Sequence, residues 1–466
     1  MKKIIIIFCA LLNLSSCNFL SVDNPGKSET HIFFKDMAGL RIAKTGLYRL
    51  IYSFYDGNYY KYSAVAGDLV TASSVGVSSD MYYQFNYLST PDLETTAVGY
   101  IWKNGYNVVI NANTLLTYVD DLKKSFPNDL DEINSIEAQA LVIRAMMHFD
   151  LVRTYAQPFQ FTSNASHLGI PVLTRLLIVG EDVPRQEVKD VYNQILADLL
   201  AALPKLDNKG DAKSINSDAC KALLARVYLY MGDYQNAINY STEIINNYSL
   251  SPADEYSAMF TNQDLGKEAI FRLTGYYANS SLGTFYKYNS PRYLPSKKLM
   301  DMFDSDDIRY KNMKLSTFNG TSSYACFKYE DLTSSAEDKK YYHITVFRLS
   351  EIYLIRSEAR CLSGDLNGAA DDLEVIQTRA MRQPITVSYI DSNDLFESIK
   401  IERAKELCFE GHRFFDLARW GDDIVRDANS TASTKLLEYP DYRFALPLPK
   451  VELDANPAII QNEGYN

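Results

Sequence analysis

"ARVYLYMGDYQNAINYSTEII" runs from Ala225 to Ile245, and "SEARCLSGDLNGAADDLEVIQ" runs from Ser357 to Gln377. Superimposing their Gly-Asp pairs puts Ser357 under Ala225, Leu366 under Tyr234, Ala369 under Ala237 and Ile376 under Ile244. In the first copy Ala225, Tyr228, Gly232, Tyr234 and Ala237 fall at the offsets of a tetratricopeptide helix pair. Small residues let two helices cross closely, and Gly-Asp breaks the first helix before the second begins. Both stretches therefore read as one helix-turn-helix unit, used twice with more than a hundred residues between. A single such unit cannot bury its own apolar face, so several should stack.

Other segments carry the same period. "IEAQALVIRAMMHFDLVRTYA", from Ile136, puts Ala140, Ile143, Ala145, Met147, Phe149 and Val152 near one broad stripe. "VKDVYNQILADLLAALP" has Val191, Ile195, Leu199 and Leu203 at helical spacing, with Pro204 as the stop. The expected fold is mainly α: tetratricopeptide-like repeats in a superhelical scaffold. Two regions interrupt it. Residues 53–95 are rich in Gly, Ser, Thr and Tyr, and residues 274–342 mix Tyr, Ser, Asn and Pro. Long non-helical insertions tend to carry function.

The chain has 466 residues, 47% of them hydrophobic and 23% charged, which is a globular composition. Its formal net charge of -11 opposes nucleic-acid binding, because an acidic surface repels phosphate backbones. The 35 tyrosines stand against 22 phenylalanines and 2 tryptophans. A tyrosine joins an apolar face to a hydroxyl, which suits a wet recognition surface as well as a helix interface.

"MKKIIIIFCALLNLSSC" opens with Lys2 and Lys3 and an apolar run from Ile4 to Leu14. The run is too short to cross a bilayer and has the form of a signal-peptide core. Its end, Leu14-Ser15-Ser16-Cys17, resembles a bacterial lipoprotein processing site. Residues 1–16 are then a removed signal, and Cys17 carries the acyl chains that hold the protein on a membrane. An ordinary signal peptide is the alternative. The remaining cysteines, Cys220, Cys326, Cys361 and Cys408, are far apart and form no CxxC pair, so neither zinc nor a disulfide framework is expected.

Catalytic spacing is missing from the sequence. HExxH, GxSxG, GxxxxGK[ST] and GxGxxG do not occur, and the five histidines never pair at ligand spacing. "DMFDSDDIRY", from Asp301, lacks the glycine turn and distal glutamate of a calcium loop and reads as a capped, solvated helix start. No metal or cofactor is expected. Two carboxylates across a cleft, as in a glycosidase, remain an open alternative. "ELCFEGHRFFDLARWGD", residues 406–422, is dense in acids and bases. His412 has no sequence neighbour to orient it as a base. Arg and Glu at i, i+3 or i+4 spacing can bridge helices, so the segment reads as a structural seam. Truncating a buried Trp420 there should cost roughly 3–5 kcal/mol.

That segment, extended to "IERAKELCFEGHRFFDLARWGD" from Ile401, resembles the C-terminal signature of the SusD/RagB family. The likeness covers nearly the whole mature chain. "CNFLSVDNP", "YIWKNGYNVVINANTLL", "EAQALVIRAMMHFDLVRTYAQPF", "LGIPV", "FRLSEIYLIRSEARCLSGD" and "FALPLPKVELDANPAIIQNEGYN" follow in the family's order. Gln157 stands where the family usually has glycine, and Arg356 where many members have a small residue. The resemblance implies one SusD-like domain over 17–466, with an N-terminal half to about 250 and a C-terminal half from about 260. It implies a non-enzymatic, lipid-anchored protein on the outer-membrane surface of Bacteroidetes. Such a protein binds a nutrient, a glycan or in some members a peptide. It passes that nutrient to a TonB-dependent, SusC-like transporter.

Both tryptophans lie in helical motifs, so the ligand platform should be tyrosine. Tyr82 and Tyr83 from the first irregular region, and Tyr276, Tyr277, Tyr286, Tyr288 and Tyr293 from the second, are the expected contacts. A tyrosine has only two side-chain torsions to freeze on binding.

Overall fold

In the computed structural model the chain runs through α1 (Met37–Phe54), α2 (Ala97–Ser125), α3 (Leu130–Tyr155) and α4 (Val188–Ala202). Two hairpins follow, α5 and α6 (Ser217–Met231, Tyr234–Ile245), then α7 and α8 (Leu349–Ser363, Leu366–Met381). It ends in α9 (Ser392–Glu406) and α10 (Arg413–Trp420). The residues described are 30–78, 80–208, 211–261, 267–276, 280–286, 290–318, 320–326, 328–329 and 341–465. The signal segment 1–16 and Cys17 lie outside them, as do Tyr277 and Tyr288.

The paired Gly-Asp motifs behave alike. Gly232 and Gly364 take φ of 78° and 93°, the left-handed conformation that ends a helix without a Cβ penalty. The aspartate that follows accepts a hydrogen bond from the second helix's first turn: Asp233 from Asn236 N at 3.2 Å, Asp365 from Gly368 N at 3.0 Å. Ala225 and Ser357 are fully buried where the partner helices cross, and the Ser357 hydroxyl donates to Ala369 O at 2.7 Å. Helix α6 packs directly on α7, although the segment between them is roughly a hundred residues long. Successive helices from α1 to α8 each pack on the next. One apolar cluster extends from Phe34 to Ile459, with a satellite under α7–α9.

Helix α3 departs from the one-stripe expectation. From Ala138 to Tyr155 nearly every residue is buried, because α2 and α4 flank it and α1 covers a third side. Its polar residues are consequently paired inside. Arg144 donates to Asp198 at 2.6 and 2.8 Å and to the Asn113 amide oxygen at 2.7 Å. Asp150 accepts from the hydroxyls of Tyr55 and Tyr59 at 2.6 and 2.7 Å.

The first irregular region is helical at its start. A π-turn over Tyr55–Tyr59 runs into a short helix, Tyr60–Val65. Tyr59, Tyr60 and Tyr62 are buried here, and rings at 59 and 62 lie against Phe415 and Phe414. The second region contains strands: β2 (Ala269–Tyr276), β3 (Tyr293–Pro295), β4 (Met313–Phe318), β5 (Thr321–Cys326) and β6 (Tyr341–Arg348). β2 pairs antiparallel with β6, and β4 with β5. Asp307 at the end of the acidic run is buried rather than solvated, capping the next turn and gripping Arg309 at 2.7 Å. Cys220, Cys326, Cys361 and Cys408 are free and buried.

The 406–422 segment is a buried ionic seam. Glu406 accepts from Arg348 and Arg379, each at 2.6 Å, and from Arg309 at 3.0 Å. Glu410 accepts from Arg348 at 2.8 Å and Lys328 at 2.6 Å. Asp416 joins Arg403 and Arg419 at 2.7 and 3.0 Å. The seam thereby ties α9 and α10 to β6, α7 and α8. Trp420 is only half-buried: its Nε1 donates to Glu358 at 2.8 Å while Lys400 lies 5.3 Å from the ring centre. Trp420→Ala is therefore expected to cost about 2 kcal/mol, below the roughly 3–5 of an enclosed aromatic. Urea unfolding of the variant measures this, and a loss above about 4 kcal/mol contradicts it.

Candidate functional site

The two irregular regions meet. β1 (Val70–Ala72) pairs antiparallel with β3, in the register Val70 to Pro295, Thr71 to Leu294 and Ala72 to Tyr293. Asp68 precedes β1 and Lys298 follows β3. The fully buried Asp68 carboxylate accepts from Lys298 at 2.6 Å and from Arg413 of α10 at 2.7 and 2.9 Å. Burial alone raises this carboxyl, but Arg413 and Lys298 outweigh it and bring it to about 2. The base of the strand pair is thus fastened to the helical scaffold by a charged clamp.

Above the clamp lies a cleft of about 440 Å³. Thr71 and Ser73 line one side, Ser316 of β4 and Ser323 of β5 a second, and Asn429 and Thr431 the third. The last two come from the connection between β7 (Ile424–Val425) and β8 (Leu436–Leu437). Thr431 takes the place of a strand neighbour: its hydroxyl accepts from Ala72 N and donates to Ala72 O, both at 3.1 Å. Among the described residues the lining side chains are hydroxyls, one amide and a few apolar groups, and none is charged. Such a surface suits uncharged polar groups, which it can meet through short hydrogen bonds.

Tyr82 and Tyr83 lie on the short helix Tyr82–Phe85 and are not among the cleft's described lining residues. Asp80 ties that turn to Arg292 at 2.9 Å, next to Pro291 of the lining. Lys61 reaches Asp80 at 3.3 Å and the Ser281 hydroxyl at 2.7 Å. Burial pulls the Lys61 ammonium below its ordinary value, with Asp80 opposing. Phe85 points inward against Tyr293. Arg426 holds the turn by donating to Phe85 O at 2.5 Å and Val65 O at 2.8 Å. With the inward face fixed, Tyr82 and Tyr83 are left 37% and 39% exposed, their rings edge-to-face at 5.4 Å.

The other expected contacts separate. Tyr286 is 1% exposed, stacked on Tyr329 and edge-on to Phe409. Tyr293 is fully buried, stacked on Phe285 at 5.1 Å. Neither offers a ring face to a ligand, and the expectation for these two is corrected: each ring gains more from full burial among aromatic neighbours than an open rim provides. Tyr276 closes strand β2 opposite Tyr341, and Tyr277 and Tyr288 lie outside the described residues. Sequence reasoning missed Asn429 and Thr431. The small polar run "DANSTAST", from Asp427, was the available signal, set in an otherwise helical half.

His412 does not form a catalytic centre with this cleft. It is buried; desolvation pulls its pKa well below the ordinary value, and Arg226, Arg403, Arg153 and Arg348 add to the effect, leaving the imidazole neutral. Among the described residues no group of three or more His, Cys, Asp or Glu could hold a metal ion, and no helix is long and apolar enough to cross a membrane.

A sequence profile described as the SusD family matches residues 225–465, more than half of the chain. The protein belongs to the SusD family. A second profile, described as starch-binding associating with outer membrane, matches residues 18–229 of this SusD-family chain. SusD-like protein P2 of Formosa agariphila is 26% identical, with the whole of both chains aligned. A SusD superfamily protein of Bacteroides thetaiotaomicron has a TM-score of 0.82 and 27% identity, covering 92% of this chain and 99% of its own. A putative sugar binding protein of Bacteroides vulgatus gives 0.81 and 26%, with the same coverage. The mainly helical architecture of this SusD-family member is the one those structures share.

Proposed function

We propose that this SusD-family protein is a cell-surface lipoprotein that binds a neutral glycan and passes it to a TonB-dependent, SusC-like transporter in the outer membrane. The observation that carries the reading is the hydroxyl-lined cleft where the two irregular regions meet, uncharged among its described residues, with the exposed Tyr82 and Tyr83 on a turn tied through Asp80 and Arg292 to its lining. A sugar ring stacks on an aromatic face and trades its hydroxyls with side-chain hydroxyls and amides. No bond is broken, so no acid–base pair is needed. The sugar-binding description of the Bacteroides vulgatus relative and the starch-binding description of the N-terminal profile support the ligand class. The expected ligand contacts of this reading are Tyr82 and Tyr83, with the backbone-anchored Thr71 and Thr431 as hydrogen-bond partners. A peptide ligand, the alternative within the family, would find no charged group among the cleft's described residues to meet its termini.

Calorimetric titration of the chain with neutral oligosaccharides tests the ligand class; saturable binding is expected, and its absence across glucans, mannans and xylans overturns it. The anchor is tested separately. Cys17→Ala is expected to abolish fatty-acid labelling and release the protein from the outer membrane. Unchanged membrane fractionation would remove the lipoprotein reading and leave the glycan reading standing.

A further inference from the structure

A second cleft lies on a different part of the molecule. It measures about 530 Å³ and shares no lining residue with the first. One wall is the segment after α3, with Gln157, Phe161 and Leu168; the other is the C-terminal tail, with Tyr442 and Glu463.

The walls are held in place. Arg185 lies 7% exposed beneath the cleft and clamps both sides through neutral acceptors. Its Nε donates to Gly169 O at 2.6 Å, Nη1 to Ile460 O at 2.9 Å, and Nη2 to Leu168 O at 3.0 Å and the Asn462 side chain at 2.7 Å. Asn462 donates in turn to Tyr155 O and Leu446 O, both at 2.8 Å. The Gln157 amide donates to Asp441 O at 3.0 Å, fixing the turn that presents Tyr442. The side chain of Gln157, which points across the chain rather than to solvent, is thus a positioning group for the opposite wall.

On this braced frame two rings stay open: Phe161 is 42% and Tyr442 41% exposed. Large aromatics left open on a fixed wall mark contact sites. The charges define what they contact. Each Arg185 nitrogen already has an acceptor, and the Asp441 carboxylate is held bidentately by Arg443, with both distances 2.8 Å. Among the described residues of this cleft no guanidinium is left without acceptors to receive a carboxylate, sulfate or phosphate. Glu463 at the exposed mouth can accept hydrogen bonds from hydroxyls and repels anions.

We infer that the cleft between residues 157–168 and the C-terminal tail is a second, independent binding site for a neutral sugar ring, stacked between Phe161 and Tyr442 with Glu463 accepting from its hydroxyls. Gln157 acts through the turn it holds.

The test is a calorimetric titration of the mature full-length chain with maltohexaose, cellohexaose, xylohexaose and mannohexaose. At least one of them is expected to fill a site that Tyr442→Ala or Phe161→Ala removes and that Tyr82→Ala with Tyr83→Ala leaves intact. Two variants guard against one failing to fold, and melting temperature reports on folding. Gln157→Gly is expected to weaken the same site at least tenfold while keeping its stoichiometry. An oligogalacturonate of the same length, bearing a carboxylate on every ring, is expected not to compete. The inference is overturned if no hexaose binds, if Tyr442→Ala and Phe161→Ala both keep the full wild-type stoichiometry, or if the oligogalacturonate competes. Loss of binding only in the Tyr82/Tyr83 variant also overturns it, while leaving the first cleft's reading intact.

Discussion

Glu406→Ala is expected to lower the stability of the folded chain by about 3–5 kcal/mol, the range for deleting one partner of a buried ion pair. The reason is the imbalance left behind. Glu406 is fully buried and receives Arg309, Arg348 and Arg379. Without it the three guanidiniums face one another with fewer acceptors in a medium that screens poorly. The same geometry sets a pH dependence. Burial alone raises the Glu406 carboxyl, but Arg379, Arg348 and Arg309 outweigh it and hold the group well below 4.5. A carboxyl depressed in the folded state contributes stability that is complete above its unfolded value. That contribution is lost as the pH falls through the folded value. Wild-type stability should therefore drop on acidification below about pH 4.5, and Glu406→Ala should show a shallower drop. Urea unfolding of both chains at pH 7 and across pH 5 to 3 measures the two effects. A variant within 1 kcal/mol of wild type at pH 7 contradicts the seam as described.

Tyr82→Ala and Tyr83→Ala are expected to weaken binding of the cognate oligosaccharide by about 5- to 150-fold each. The figure corresponds to roughly 1–3 kcal/mol per aromatic platform, by analogy with base stacking. Melting should hardly move, because both rings are more than a third exposed and the turn's anchorage comes from Phe85 and Arg426. Tyr293→Ala should give the opposite pattern, a clear loss of stability from an emptied aromatic site. Titration and thermal melting of the three variants separate the roles. If Tyr82→Ala and Tyr83→Ala both bind as wild type does, the platform lies elsewhere.

How far the sequence could be read depended on whether a residue acts on its own neighbours or on distant ones. Gly232-Asp233 and Gly364-Asp365 were legible because the left-handed glycine and the capping aspartate act within one turn. Pro204 was legible as a stop for the same reason. The acids of 406–422 were readable as a seam, but not their partners. Arg309 and Arg348 lie 97 and 58 residues away from Glu406, and only folding brings them in. The tyrosines show the limit most clearly. Tyr82 and Tyr286 sit in similar polar surroundings in the sequence, yet one ring ends in solvent and the other between Tyr329 and Phe409. Composition reports what a ring is able to do, and burial is decided by the segment that folds over it. The strands of the second region were hidden similarly, since β2 finds its partner β6 across some seventy residues.

Helices α6 and α7 lie side by side, so the long segment between them leaves the scaffold and returns to almost the same place. The ends of that excursion are held by helix packing and by the β2–β6 pairing beside it. In a flexible connection, doubling the length costs only about 0.6 kcal/mol in closure entropy. The β4–β5 hairpin within that segment can therefore be lengthened, shortened or replaced without asking α6 and α7 to part, provided Arg309, Lys328 and Arg348 stay to meet Glu406 and Glu410. A chimera that exchanges only the β4–β5 hairpin, residues 313–326, replaces the wall made by Ser316 and Ser323 and should shift ligand preference while leaving Tyr82, Tyr83 and Thr431 in place.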